Sequence, residues 1–177
     1  DRFVSLGGRT VIANDARADL FISIHCNASV NYSANGFEIY VLSADGSDNN
    51  ARTTAAMENA AANFESAENR RRYATPANTV LERLHLTQYQ QESVELAGHI
   101  KKQVVPRLGV DDRGVKSANF YVLRGALMPA VLIETAFISN AEDATRLASP
   151  EYQDQVARGV ADGVVAFRNQ YEVACSR

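Results

Sequence analysis

Tryptophan is absent from this chain, and methionine, cysteine and proline are scarce, at two, two and four among 177 residues. Two cysteines, at 26 and 175, cannot make the multi-bridge framework of a small disulfide-stapled domain. Cys26 sits in an apolar segment and is expected as a packed thiol, with Cys175 a tail residue. No run of about 18 apolar residues occurs, so no transmembrane segment is expected. A net charge of −3 with a pI near 5.6 offers no basic stripe, which argues against a nucleic-acid partner. Internal repeats and low-complexity tracts are also missing.

What remains is 46% hydrophobic, enough for one sizeable core. Val11, Ile12 and Ala16 share a face of a helix expected from about Leu6 to Arg17. The run Leu20–Ile24 reads as a strand apolar on both faces, hence covered on both sides. Asn35-Gly36 marks a turn into a second strand, Gly36–Ser43. A polar helix follows from Asp48 to about Arg72. Thr75-Pro76 then caps a long helix carrying Leu96, Ile100 and Val104, which Pro106 closes. Leu108–Lys116 reads as a loop, and Asn119–Leu123 and Ala130–Ile133 as short strands. Pro150–Tyr171 is a helix with Val156, Val160, Val164 and Phe167 as its inner stripe. Strands and helices that alternate with crossover-length connections predict an α/β fold: a mixed, mostly parallel sheet flanked by helices on both faces.

In such sheets the chemistry gathers beyond the C-terminal ends of strands, where two polar residues are expected. His25 follows Leu20–Ile24, and a neutral imidazole there suits a metal ion. A histidine satisfied by the adjacent turn is the plainer alternative. Glu134 follows Ala130–Ile133, where partial desolvation suits a general base for water activation. Its plainer role is to cap the next turn. His85 and His99 lie fourteen residues apart on one helix, too far to share a metal, and are left out of the site. Arg70, Arg71 and Arg72 read as a solvated helix end.

Together, four stretches resemble the zinc-dependent N-acetylmuramoyl-L-alanine amidases of the amidase type 3 family. They are Asp1–Asn14, Ala18–Ala28 (ADLFISIHCNA), Gly36–Ser43 and Phe120–Asn140 (FYVLRGALMPAVLIETAFISN), followed by Leu147–Ala166. The resemblance implies a peptidoglycan hydrolase that cleaves the amide between N-acetylmuramic acid and the L-alanine of the stem peptide. Alternatives are a metal-free peptidoglycan-binding domain of the same fold, or a zinc peptidase on cell-wall peptides. It implies that His25 is a Zn2+ ligand and Glu134 the catalytic glutamate. The family's other two ligands, a Gly-flanked histidine and a glutamate, are expected upstream of residue 1. Residues 1–177 then form one amidase catalytic domain missing its N-terminal strands and helix, inactive alone. Residues 48–79 resemble the inserted, regulatory helix of the septum-splitting amidases. Such a helix covers the site until an activator protein displaces it, and Glu58 is the carboxylate expected to reach the metal. The parent protein is expected to be exported, to the periplasm or the extracellular cell wall.

Overall fold

The computed structural model describes residues 3–64 and 80–175. The expected Thr75-Pro76 cap and Arg70–Arg72 lie outside them. Four strands form one sheet: β1 (Phe21–Asn27), β2 (Phe37–Leu42), β3 (Asp112–Ala118) and β4 (Ala130–Phe137), in the order β1-β4-β2-β3. Five α-helices accompany them among the described residues: α1 (Leu6–Asp15), α2 (Asn49–Asn59), α3 (Val80–Leu108), α4 (Ala141–Leu147) and α5 (Pro150–Cys175).

Strand directions follow from hydrogen bonds at the strand ends. Phe21 N donates to Pro129 O at the start of β1, and Ile138 N donates to Asn27 O at its end. β1 and β4 therefore run in parallel. Phe37 N to Asp111 O and Ser43 N to Ala118 O make β2 and β3 parallel too. The Asn27 side chain reaches Glu38, so β2 begins where β1 ends and runs against it. The sheet is mixed and mostly parallel, as the sequence predicts.

Several local expectations change. β4 is buried at all eight positions and extends through Phe137, well beyond Ile133. Asp112–Ala118, expected as a loop, is a strand; its half-buried polar residues give no apolar run to read. Tyr121–Leu123, expected as a strand, is a buried 3₁₀ turn. α1 buries Leu6, Gly7 and Thr10 and leaves Ile12 outside, so its inner face is not the one its apolar residues suggest. Pro106 sits inside the last turn of α3, which ends two residues later. β1 is an edge strand in this sheet, with a neighbour on one side only. Its Ile24 is 57% exposed and Cys26 is exposed rather than packed, while Ser23 and Asn27 are buried. The inward face of β1 is thus its polar one.

The chain divides into two compact units. The first comprises Asp1–Ser23, Val41–Ser93 and Lys116–Val131. Within it, Ser5 caps α1 by accepting from Gly8 N, and Asp48 caps α2 by accepting from Ala51 N at 2.7 Å. Asn14 fastens the end of α1 to the segment before β4, donating to Gly125 O and accepting from Leu127 N.

The second unit comprises Ile24–Tyr40, Val94–Val115 and Leu132–Arg177. Its core pairs Leu96, Ile100 and Val104 of α3 with Val156, Val160 and Phe167 of α5. Burying each such side chain contributes about 1.5–3 kcal/mol. The two helices touch at Gly163, where a Cβ would stand 2.5 Å from the Ile100 Cα, so no larger residue fits. His99 donates to or accepts from Gln170 and lies edge-on to Phe167, a packing role. α4, not foreseen, is capped by Asn140, which accepts from Glu142 N and Asp143 N. The fully buried Asp143 accepts from Gly36 N and Phe137 N with one oxygen and from Arg146 with the other. Gly36 holds φ +101°, and a Cβ there would meet Asp111 O at 2.5 Å, so the turn before β2 requires glycine.

Candidate metal centre

The register of β1 and β4 decides where the site forms. Bonded at both ends in parallel, the two strands carry His25 and Glu134 side by side, and Thr135 Oγ1 donates to His25 O at 3.0 Å. Neither residue follows its strand as expected; each stands at the fifth position of it. β4 is flanked by β1 and β2, so Glu134 is fully buried, whereas His25 on the edge strand is half-buried. His25, Glu58 and Glu134 each offer one ligand atom, and these atoms all lie within 4.8 Å of one another. Glu58 is half-buried near the C-terminal end of α2.

One imidazole nitrogen and two carboxylate oxygens at this separation are the donor types zinc takes. A cation would also offset the repulsion of two carboxylates brought this close. The residues present therefore fit a metal ion, with His25 and one or both glutamates as its donors. His99 takes no part in this group, and the side chain of His85 lies outside the described residues.

Sequence reasoning missed a second buried polar cluster in the same unit as His25 and Glu134. Glu38, 1% exposed, accepts from Asn27 Nδ2 at 2.5 Å, from Tyr40 OH at 2.7 Å and from Arg113 Nε at 2.9 Å. The Arg113 guanidinium lies 4.9 Å from the centre of the Phe137 ring. The one available signal was a glutamate standing among the apolar residues of GFEIYVLS. Behind it, Tyr152 OH donates to Thr135 O at 2.7 Å. Burial, with Asp143 nearby, pushes the Tyr152 hydroxyl up to about 12.

A mixed α/β sheet that brings a histidine and two carboxylates together is a framework suited to a hydrolase, with a group that could hold a metal ion. The comparisons give that class a family. The family model described as N-acetylmuramoyl-L-alanine amidase matches residues 1–166, and the chain belongs to this family. It is 35% identical over 168 residues to the N-acetylmuramoyl-L-alanine amidase LytC of Bacillus subtilis, covering 94% of this chain and 25% of LytC. It is 29% identical over 177 residues to AmiA of Escherichia coli, covering 97% of this chain and 60% of AmiA. Among solved structures, an N-acetylmuramoyl-L-alanine amidase of Clostridium difficile 630 superposes with a TM-score of 0.65 at 28% identity, over 96% of this chain and 68% of that one. The catalytic domain of CwlV from Bacillus (Paenibacillus) polymyxa var. colistinus gives 0.63 at 27%, with the same coverage. The chain thus spans from a quarter to about three-fifths of these two curated relatives. No described helix is long and apolar enough to cross a membrane.

Proposed function

We propose that this chain is the catalytic portion of a zinc-dependent peptidoglycan amidase. Its reaction is hydrolysis of the amide joining the lactyl group of N-acetylmuramic acid to the L-alanine of the stem peptide. The observation that carries the reading is the grouping of His25, Glu58 and Glu134 within 4.8 Å, in a chain whose family is defined by this activity. His25 would hold the metal through a ring nitrogen. The chemistry the metal supplies when bound is Lewis acidity, a polarised carbonyl and a water acidified to a pKa of about 7. Glu134 is the proton carrier: its carboxylate accepts from the attacking water and returns the proton to the amine of the departing L-alanine. Its complete burial keeps bulk water from competing for that proton.

Glu58 is the regulatory carboxylate. With a metal bound, its carboxylate would take the position that substrate needs, so a partner that draws α2 aside would turn the enzyme on. The substrate sets the compartment: the parent protein acts outside the cytoplasmic membrane, in the periplasm or cell wall, during cell separation.

Dye release from labelled peptidoglycan by the full-length protein, before and after chelation and zinc readdition, tests the reading. Mass spectrometry of the products should show free N-terminal L-alanine on intact stem peptides. Cleavage within the peptides instead would make the protein a zinc peptidase, and binding without any cleavage would make it a peptidoglycan-binding module.

A further inference from the structure

The first unit contains a cleft of about 290 Å³ that the proposed reaction does not use. Two guanidiniums, Arg52 and Arg124, line it together with the side chains of Asn59 and Asn119 and a single carboxylate, Asp45. Among the described residues neither arginine forms an ion pair, and the lining sets two guanidiniums against one carboxylate.

Arg124 is held in place on two sides. Its Nε donates to Asn119 Oδ1 at 2.9 Å, and its guanidinium lies 5.2 Å from the centre of the Tyr121 ring. The platform beneath is fixed as well: Asn59 donates to Asn119 O at 2.8 Å and accepts from Tyr121 N at 2.6 Å. With Nε occupied, the two terminal nitrogens take no hydrogen-bond partner among the described residues. That is a planar pair of donors, immobilised at its base and open at its tip, the geometry that grips a carboxylate through two parallel bonds. Arg52 is tied back to Gly46 O and Asn49, so it adds charge rather than free donors. The volume lies at the bottom of the range for ligand pockets and admits a carboxylate-bearing side chain. Position supports a substrate role. Asn59 directly follows Glu58, and Arg124 begins the segment that leads into β4 and Glu134.

We infer that this cleft binds a free carboxylate of an acidic peptide, with Arg124 as the residue that recognises it. The identity of that peptide as the stem peptide rests on the amidase reading; the carboxylate recognition does not. Recognition of this kind sets a preference between peptides whose carboxylates are free and peptides in which they are capped as amides.

The test uses the full-length metal-loaded protein and a stem tetrapeptide, L-Ala-γ-D-Glu-L-Lys-D-Ala, which lacks the scissile bond and so does not turn over. Calorimetry compares it with the same peptide bearing both carboxyls as carboxamides. The free acid should bind at least about tenfold tighter, the scale of one charge-assisted pair, and the difference should shrink as salt rises. Arg124→Ala should abolish the preference. Arg124→Lys should keep part of it, because charge remains while the fork is lost.

Equal binding of the two peptides by the unaltered protein overturns the proposal, and this comparison needs no variant to fold. A preference that persists in Arg124→Ala also overturns it. So does a glycerol-phosphate oligomer that binds as tightly as the free acid and is lost equally in Arg124→Ala, since the ligand would then be a phosphate polymer. An Arg124-dependent preference in a protein that releases no dye from peptidoglycan sinks the amidase reading and keeps this one. Hydrolysis with no preference does the reverse.

Discussion

Glu38 and Glu134 are two glutamates with the same burial and opposite surroundings. Each sits in the sheet with essentially no solvent contact. Around Glu38 stand donors: an asparagine amide, a tyrosine hydroxyl and an arginine. Around Glu134 stand an imidazole and a second carboxylate. Burial of a charge is costly in both places. At Glu38 the fold itself offsets the cost with hydrogen bonds and an ion pair, which is what a structural carboxylate looks like. At Glu134 the group within reach is a second carboxylate and an imidazole nitrogen, a set of atoms that could hold a cation. Depth alone therefore separates nothing; the sign and type of the neighbours distinguish the residue that holds the sheet from the one we propose does the chemistry.

The sharpest way to break this comparison is to neutralise each carboxylate in the full-length protein. Glu134→Gln should lower dye release by roughly two to four orders of magnitude, the size of a lost general base. Zinc content and unfolding midpoint should barely change. His25→Ala should lower zinc content and activity together, since a donor is gone. Metal loss of equal size in both variants would make Glu134 a ligand rather than the proton carrier.

Glu38→Gln should invert that pattern. Arg113 would keep its charge without a carboxylate, at a cost of about 2–3 kcal/mol read from urea unfolding. Turnover per folded molecule should stay within about threefold. A large loss of turnover with unchanged stability would move Glu38 into the chemistry and erase the distinction.

Glu58 stands between the two cases. Glu58→Ala should raise basal hydrolysis several-fold with little change in zinc, because the donor removed competes with substrate. A fall in both quantities would make Glu58 a permanent ligand.

The smallest effect concerns Tyr152. A hydroxyl raised from 10 to about 12 in the folded protein favours the neutral form, so its contribution to stability is complete below pH 10. It drains away as pH rises from 10 through about 12. Tyr152→Phe should lose about 1 kcal/mol at neutral pH, with the bond to Thr135 O, and show a shallower decline across that window. Urea midpoints at pH 7, 10 and 11.5 measure both; parallel curves for the two proteins would refute the assignment.

The sequence was most legible where one short segment carries the whole signal. β2, β4 and α5 are apolar runs or stripes, and the structure forms all three. His25, Glu134 and Glu58 could be singled out from motifs and their resemblance to a family. What could not be read were features assembled from distant parts. β3 has no apolar run because its residues are half-buried, so Arg113 was lost with it, and the Glu38 cluster went unseen. β1 was misjudged for a related reason: its hydrophobic run said nothing about which neighbours it would have. In this chain Ile24 is exposed while Ser23 and Asn27 are buried, a facing that the apolar run does not show. The 3₁₀ turn at Tyr121–Leu123 shows the limit of composition, since a buried turn and a buried strand are equally apolar.

Asp143 also governs the order in which the chain can become a structure. Its side chain joins Gly36, 107 residues earlier, to Phe137, only six residues earlier. Closing a loop that long is entropically slow, and the local half of the clasp gains little until the distant half arrives. During synthesis, the clasp on the entry into β2 can therefore close only after α4 has been made. Until then β2, with its run of buried apolar residues, lacks that fastening.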